Sequence, residues 1–556
     1  MSSAQTDRSS GSSSPTRPLA RGQACMPCRW RKVRCDGVRP TCNQCAKADP
    51  ARECNYHDAS TSHASNLQKT VTQLEARVRQ LEQEGPSTGS SAVFLRDPYS
   101  DSPLQGSPIS PFSRSPSVGI AFGEWPSPNT CALLTDTFFQ HVQCLPWFLH
   151  EGRYRQASTL PEGGLGRPIA ALEATVLLWG SIIYLRSQGL PVVDAGFLLD
   201  QASSQVGVAN AAGPQAIQVI QACLLLADYL LDSSRVLEGR AQLSAATSLA
   251  FRLRLHKIRS GQELSPRISF LDPITMALPE PQDTVEEGER IRAFWSVFSF
   301  SRMQAVVFAH HSLLLDSEEE ERRVDTPWPL DMSMYEHGQM PPNLRSTDTL
   351  RRFLEGVGSG WPWDNDILTI LAKASALFQR TANIAAVSLR DATTINLATS
   401  LEQIRALDQR VDELETQLAP LTAGPTGKLH LARSLVLASR LQLHSVFSEQ
   451  CPVSRVRCLA AARAIWETST AAGVDTFVYL DTVIGWIWAT ACRVIMNEIV
   501  QLRAQDTGLQ GIDMATEPGL MQVLDGIFAL MTAIAARSSS MNYQLSRVEQ
   551  ERIVLG

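Results

Sequence analysis

The sequence predicts a mostly α-helical chain built from a small cysteine-rich module, a short coiled coil, a disordered linker and a large all-helical domain. Three observations lead to this prediction. Six of the twelve cysteines lie between Cys25 and Cys54. Apolar residues then alternate at spacings of four and three from Leu67 to Leu81. From about Cys131 onward, apolar residues recur at helical spacing, and sustained period-two runs with hairpin turns are missing.

Length and hydropathy exclude a wholly disordered chain and disfavour a membrane protein. The chain has 556 residues, of which 44% are hydrophobic, so it can bury a sizeable core. Residues 1–24 are rich in Ser, Thr and Arg and contain no apolar block typical of a secretory leader. The most apolar later stretch, Val483–Cys492, is about half the roughly 20 residues that a membrane helix needs. We therefore expect no membrane partner.

Charge is distributed unevenly along the chain. Residues 1–60 contain ten Arg and Lys against five Asp and Glu, whereas the remaining residues contain 40 against 51. A small basic segment attached to an acidic body predicts a head that binds a polyanion. A solvated basic tail with no partner is the open alternative.

Composition and periodicity divide the chain into six consecutive segments. The segment rich in Ser, Pro and Gly cannot bury enough apolar surface to offset the entropy of ordering, which predicts disorder. The predicted segments are a disordered N-terminus (1–24), the cysteine-rich module (25–54), a polar tether (55–66), a coiled-coil helix (67–84), a disordered Ser/Pro linker (86–130) and an all-helical domain (131–556).

The cysteine spacing indicates a metal site rather than a disulfide framework, which is typical of small secreted chains. The cysteines form two halves, each a C-x2-C pair followed by a single cysteine. Six thiolates can complete two tetrahedral metal sites only if two sulfurs are shared between the ions. The predicted metal ligands are Cys25, Cys28, Cys35, Cys42, Cys45 and Cys54.

Residues 25–54 resemble the cluster of the fungal Zn2Cys6 binuclear-cluster transcription factors. All six cysteines stand at that family's spacing, and Pro40 matches its loop proline between the two halves. The resemblance implies two Zn²⁺ ions per chain, bridged by the first and fourth cysteines, which are Cys25 and Cys42. It also implies reading of CGG-type DNA triplets.

A basic run follows the second cysteine, in a short helix that we expect between Cys28 and Cys35. By resemblance, the base reader is Lys32, four residues after Cys28, with Arg31 beside it. We expect the other cations to contact phosphates. A metal-held module with no nucleic-acid role is the open alternative. The predicted DNA-binding residues are Arg29, Arg31, Lys32, Arg34 and Arg39.

The heptad segment places Val at a positions and Leu at d positions, which favours two parallel strands. The segment has only about two and a half heptads, so an amphipathic helix packed on the body remains an alternative. The family's usual dimerisation element at this place favours a homodimer. The predicted dimerisation residues are Leu67, Val71, Leu74, Val78 and Leu81.

Residues 131–470 resemble, less specifically, the fungal transcription-factor regulatory domain. The stretches that carry this resemblance are Leu133–Arg153, Gly239–Ile258, Glu289–Arg302, Arg323–Pro329 and the segment that begins at Ser454. Ser301 stands where the family often has Asp before the closing Arg, so a local ion pair with Arg302 is in doubt. His256 ends its helix as the family's structural His does.

These features predict a nuclear, sequence-specific transcription factor that regulates RNA polymerase II transcription. Its expected partners are double-stranded DNA, a second copy of the chain and transcriptional coregulators. No catalytic motif is present, so we expect no enzyme activity and no catalytic residue. A small-molecule effector bound among the helices is an open alternative. The rival function is an enzyme or metabolite sensor whose zinc module serves only localisation or docking.

Overall fold

The chain divides into two compact units, Met1–Ser113 and Arg114–Gly556. The computed structural model describes residues 24–25, 27–28, 31–48, 124–161, 163–164, 166–208, 213, 215–262, 278–309, 322–358, 366–390, 397–421, 427–504 and 516–554. Within this part of the chain, the predicted mostly α-helical fold is confirmed. No β-strand occurs in it, and an isolated bridge joins Ser260 to Ser346.

The first unit contributes α1, and the second contributes the helices of the body. The helices are α1 (Asn43–Ala48), α2 (Pro128–Gln140), α3 (Glu151–Ser158), α4 (Ala170–Gln188), α5 (Ala195–Val208), α6 (Gln215–Asp232), α7 (Val236–Arg252), α8 (Thr284–Val307), α9 (Met332–Glu336), α10 (Thr349–Leu354), α11 (Ile367–Arg390), α12 (Leu397–Leu418), α13 (Gly427–Ser445), α14 (Pro452–Ala471), α15 (Thr482–Ala504), α16 (Glu517–Ala535) and α17 (Ser539–Val554). Short 3₁₀ helices cover Val142–Cys144, Leu255–Lys257 and Val474–Thr476.

The body begins earlier than the linker prediction of 86–130 allows. Ser127 accepts a hydrogen bond from the Thr130 backbone N–H at 3.2 Å, and Pro128 is the first residue of α2. A capping Ser followed by Pro is a strong helix start, because Pro has no N–H to leave unpaired there. Residues 128–130 are therefore helical, and residues 86–123 lie outside the described part of the chain.

The core of the body is built around α4, α6 and α8, which are buried on most of their surface. Trp179 of α4 and Trp295 of α8 are fully buried. At Gly180, an added Cβ would lie 2.2 Å from the Leu134 carbonyl oxygen, so the backbones of α4 and α2 touch. Elsewhere α11 packs between α8 and α13, and α13 also packs against α14.

Segments that are far apart in sequence meet around the end of α7. The His256 carbonyl oxygen accepts hydrogen bonds from the backbone N–H groups of Asp325 and Thr326, at 3.0 and 3.2 Å. Trp295 donates its indole N–H to the Pro327 carbonyl oxygen at 2.7 Å. Its ring also stacks on Trp328, with centroids 4.2 Å apart. The stretches 239–258, 289–302 and 323–329 thus form one packed block.

Two helices near the end of the chain, Thr482–Arg503 and Glu517–Ala535, are long and apolar enough to cross a membrane by length and composition alone. Core helices of soluble proteins pass the same test. In α15, Val483, Ile487 and Trp488 are essentially fully buried within the body. α16 packs against α15 and α17. Burial within the body therefore accounts for the apolar character of α15, whereas only 33% of the apolar window in α16 is buried.

Candidate zinc centre and nucleic-acid interface

Five cysteine sulfurs converge in the first unit. The Cys25 Sγ lies 3.8 Å from that of Cys42, 3.7 Å from Cys45 and 3.8 Å from Cys35. The Cys28 Sγ lies 3.6 Å from Cys42 and 3.7 Å from Cys45. All five side chains are at most 7% exposed. The cysteines therefore form the buried interior of the module, whereas the described valines Val33 and Val38 are exposed.

These distances fit metal coordination. Four sulfurs held at about 2.3 Å from one tetrahedral Zn²⁺ ion would lie roughly 3.8 Å from each other. The observed separations of 3.6–3.8 Å match that value. Cys25, Cys28, Cys35 and Cys42 all place their sulfurs within 4.8 Å of one another. The sequence-predicted ligands that the structure describes are thus brought together.

The surroundings of the sulfurs affect their protonation in different ways. Burial raises the pKa of Cys25 above its usual range and raises that of Cys28 to about 12. Burial also acts on Cys42, but the Cys45 backbone N–H and the neighbouring thiols lower its pKa below the ordinary value. That N–H donates to the Cys42 Sγ at 3.4 Å. Coordination to Zn²⁺ deprotonates such thiols outright.

Two polar side chains hold the halves of the module together. The Arg31 guanidinium donates to the Cys45 Sγ at 3.1 Å and to the Pro27 carbonyl oxygen at 3.2 Å. The Asp36 carboxylate accepts from the Asn43 backbone N–H, at 3.2 Å to each oxygen, where α1 begins. Sequence reasoning missed both contacts. The available signal was that Asp36 is the one acidic residue among seven basic residues in positions 21–47.

The helical turn after the first C-x2-C pair is shorter than expected. The Arg31 N–H donates to the Pro27 carbonyl at 3.2 Å, and the Val33 N–H donates to the Cys28 carbonyl at 3.1 Å. Lys32 has a φ of 52°, in the left-handed region that commonly ends a helix. The prediction that the helix includes residues up to Arg34 is therefore wrong, because the turn closes at Lys32.

The basic side chains remain on the surface of the module. Arg31, Lys32, Arg34 and Arg39 are exposed. Arg39 precedes Pro40 in the connection between the two halves, where the peptide bond is cis. Buried thiols therefore lie beneath a cationic surface. Part of the hydrogen-bonding capacity of Arg31 is used on the Cys45 sulfur.

Several predicted site residues lie outside the described part of the chain. They are the sixth cysteine, Cys54, the first cation of the basic run, Arg29, and the dimerisation positions Leu67, Val71, Leu74, Val78 and Leu81. The polar tether 55–66 and the N-terminal segment 1–23 lie outside it as well.

In the body, two residues from the stretches that resemble the regulatory domain, His256 and Arg302, have structural contacts. His256 is 4% exposed, and its ring stacks on Phe251 with centroids 4.4 Å apart. Burial lowers the pKa of His256 to about 4, so the ring is neutral near pH 7. The Arg302 guanidinium donates a hydrogen bond to the Gln379 side chain and lies over the Phe298 ring.

Comparison with known proteins agrees with the geometry of the cysteine module. Residues 23–63 match the family model of the fungal Zn(2)-Cys(6) binuclear cluster domain. The chain is 42% identical over 65 residues to the transcriptional activator protein acu-15 of Neurospora crassa. That match covers 11% of this chain and 7% of acu-15. The short match therefore concerns a small part of each protein.

Longer matches extend beyond the cysteine module. The chain is 26% identical over 330 residues to the citrinin biosynthesis transcriptional activator mrl3 of Monascus ruber, covering 51% of this chain and 60% of mrl3. It is 25% identical over 293 residues to the notoamide biosynthesis cluster transcriptional coactivator notQ' of Aspergillus versicolor, covering 49% and 50%. The chain thus spans roughly half of these relatives. No solved structure matches it significantly.

Proposed function

We propose that this chain, which carries a fungal Zn(2)-Cys(6) binuclear cluster domain at residues 23–63, is a sequence-specific DNA-binding transcription factor. The observation that carries this proposal is the convergence of buried cysteine sulfurs at 3.6–3.8 Å beneath an exposed basic surface. A metal-held module this small has little core of its own, so its zinc supplies the fold. In this proposal, the positive charge on the surface of the module binds DNA.

In this proposal six cysteines hold two Zn²⁺ ions, and Cys25 and Cys42 bridge them. Cys25 suits a bridging role because its sulfur lies within 3.8 Å of Cys35, Cys42 and Cys45. Cys42 in turn lies within 3.8 Å of Cys25 and Cys28. Cys54 completes the ligand set by the cysteine spacing. The ions supply structure and deprotonated thiolates, and the chain's own side chains contact DNA.

Lys32 reads a guanine in a CGG-type triplet, because it stands exposed where the helical turn closes. Arg31 donates a hydrogen bond to the Cys45 sulfur, and the remaining N–H groups of its guanidinium bind DNA. Arg29, Arg34 and Arg39 bind phosphates, which supplies affinity and register. The leucine and valine heptads pair two chains, so that two triplets are read together.

The body transmits the response to coregulators and to RNA polymerase II transcription in the nucleus. The roles named for the Monascus and Aspergillus relatives favour control of a biosynthetic gene cluster. We assign no catalytic step to the chain. The rival function, an enzyme or metabolite sensor with a zinc module for docking, draws no support from the contacts of His256 described above.

The test is a binding titration of the full-length, zinc-loaded chain on a duplex with paired CGG triplets. We expect at least tenfold weaker binding when each CGG is changed to CAG, because the major-groove contact to the central guanine is lost. Stripping the zinc with a chelator should abolish the preference, and zinc addition should restore it. Equal affinity for both duplexes at the same salt concentration would contradict the proposal.

A further inference from the structure

A cavity of about 630 Å³ opens in the body between the segment before α2, the end of α3, and α4. A volume of this size lies in the range typical of small-molecule sites. The residues that line it run from Trp125, before α2, to Leu177 of α4. The cavity is separate from the cysteine module, because all of these residues belong to the second unit.

The segment before α2 forms part of the cavity wall and is held against that helix. The Cys131 thiol donates to the Pro126 carbonyl oxygen at 3.5 Å, and its sulfur also hydrogen-bonds the Trp125 side chain. Pro126 is buried, whereas Trp125 is 41% exposed. Leu160, which follows α3, also lines the cavity and is 37% exposed. An apolar ligand would therefore remove apolar surface of Trp125 and Leu160 from water, which is favourable.

The least exposed residues of the cavity wall are uncharged. Tyr154 of α3 is 6% exposed, and Leu177 of α4 is 4% exposed. Burial raises the pKa of Tyr154 above its usual range and also raises the pKa of the Cys131 thiol. The phenol and the thiol are therefore both protonated and neutral near pH 7.

The charged side chains that line the cavity are paired with one another. Two cations and two acids line it, so their charges cancel. Arg155 lies 2.5 Å from the Asp136 carboxylate, and Arg167 lies 3.0 Å from the Glu173 carboxylate. A charged ligand would have to displace a partner from one of these pairs or be buried without a partner of its own, and both are costly. The wall therefore favours a ligand without charge.

We propose that this cavity binds an uncharged, predominantly apolar small molecule. The molecule packs against Trp125, Leu160 and Leu177. The hydroxyl groups of Thr135 and Ser158, which also line the cavity, hydrogen-bond to its polar atoms. Because the lining joins α2, α3 and α4, the ligand would stabilise this part of the body. The proposal is independent of DNA reading, which belongs to the other unit.

The test is a fluorescence titration of the full-length, zinc-loaded chain, without DNA. N-phenyl-1-naphthylamine, an uncharged apolar probe, is the reporter, and we expect one molecule to bind per chain. Three non-reporting naphthalenes of similar size then compete with it: the neutral 2-naphthamide, the anionic 2-naphthoate and the cationic 2-naphthylmethylammonium. The amide should displace the reporter at concentrations at least about tenfold lower than either ion, because burial of an unpaired charge is costly.

Two substitutions in the cavity wall locate the site. Ala132→Trp fills the cavity from α2 and should weaken reporter binding at least about tenfold, because the probe loses apolar contact area. Its matched control is Ala529→Trp, at an exposed alanine of α16. Thr135→Lys adds an unpaired ammonium group to the wall, so 2-naphthoate should displace the reporter about as well as the amide does. Thr532→Lys, at an exposed threonine of α16, is the control and should keep the wild-type order.

Circular dichroism and the DNA titration, unchanged in each variant, exclude loss of the fold and separate this test from that of DNA reading. The proposal is overturned if the reporter does not bind, if either ion displaces it from the wild type as well as the amide does, or if Ala132→Trp and Ala529→Trp bind it equally. If Ala132→Trp fails to fold, the lysine variants decide, and identical displacement in Thr135→Lys and Thr532→Lys overturns the proposal.

Discussion

The Lys257 Nζ lies 2.9 Å from the Asp325 carboxylate, and both side chains are almost completely buried, at 3% and 0% exposure. The two residues are 68 positions apart in the sequence. Asp325 also accepts hydrogen bonds from the Ser260 hydroxyl at 2.8 Å and from the Asp348 backbone N–H at 3.0 Å. This ion pair is therefore the polar centre of the block in which three separate sequence stretches meet.

Removing one partner of this pair should strongly destabilise the body. Asp325→Ala leaves the Lys257 ammonium buried beside an apolar methyl group, and such changes typically cost about 3–5 kcal/mol. Urea unfolding of the full-length chain measures the loss. Asp200→Ala, an exposed acid on α5, is the control and should change stability by less than about 0.5 kcal/mol. A loss below about 1 kcal/mol for Asp325→Ala would contradict the importance of the pair.

A second buried group makes stability depend on pH. Asp228 is 1% exposed and accepts a hydrogen bond from the Tyr479 hydroxyl at 2.5 Å. Burial, together with the charges of Asp481 and Asp232, raises the pKa of Asp228 well above its usual value of 3.8, although the Tyr479 hydrogen bond and the charge of Arg186 oppose the shift. Burial likewise raises the pKa of Asp481 to about 6.

The pKa of Asp228 is higher in the folded chain than in the unfolded chain. The contribution of Asp228 to the free energy of unfolding is therefore full below about pH 4 and is lost as the pH rises through the raised pKa. We therefore expect Asp228→Asn, which cannot ionise, to gain stability relative to the wild type as the pH rises from 5 to 8. Urea unfolding at both pH values gives this difference. Asp200→Asn should show no such gain, and a variant that tracked the wild type across the range would rule out a buried, neutral Asp228.

The exposed cations of the cysteine module should separate into two classes. Lys32→Ala should cost roughly 1–3 kcal/mol of binding to a CGG duplex and relax discrimination at the triplet. Arg39→Ala should weaken binding similarly on all sequences and lower the salt slope by about one, as loss of a phosphate contact does. Titrations at several salt concentrations distinguish the two patterns. If both variants behave alike, the module is merely a cationic surface.

The heptad segment should control dimerisation of the chain and should not affect its zinc content. Leu74→Asp with Val78→Asp places charges on the predicted seam, where they cannot be buried, so the chain should become monomeric in sedimentation analysis. The matched control introduces the same charges at outward positions, Gln73→Asp with Ala76→Asp, and should stay dimeric. Identical sedimentation of both variants would exclude a coiled coil at 67–84.

Features that depend on local spacing could be predicted from the sequence. In a C-x2-C pair the two cysteines are close enough in sequence for both sulfurs to bind the same metal ion, so the pair alone predicts a metal site. The helices of the body follow from apolar periodicity, which is also a local property. Capping pairs such as Ser127 and Pro128 were visible in the sequence, but the Ser-Pro composition around them favoured a linker.

Features that depend on distant contacts could not be predicted. Nothing in one sequence pairs Lys257 with Asp325, because their proximity is created by packing of the segments between them. The hydrogen bond from Arg31 to Cys45 could not be predicted for the same reason. A charge pattern gives the sign of the charge on a side chain, but it does not indicate which atom that side chain contacts. The left-handed backbone at Lys32 was also unexpected, because a non-glycine residue there gives no local signal.

The zinc content of the purified full-length chain tests the shared-sulfur site most directly. We expect two zinc ions per wild-type chain, and close to none in Cys42→Ser, because a bridging sulfur serves both ions. Cys451→Ser, at the start of α14 and far from the module in sequence, should keep two. One ion per wild-type chain, or one ion retained in Cys42→Ser, would contradict a binuclear centre bridged by Cys42.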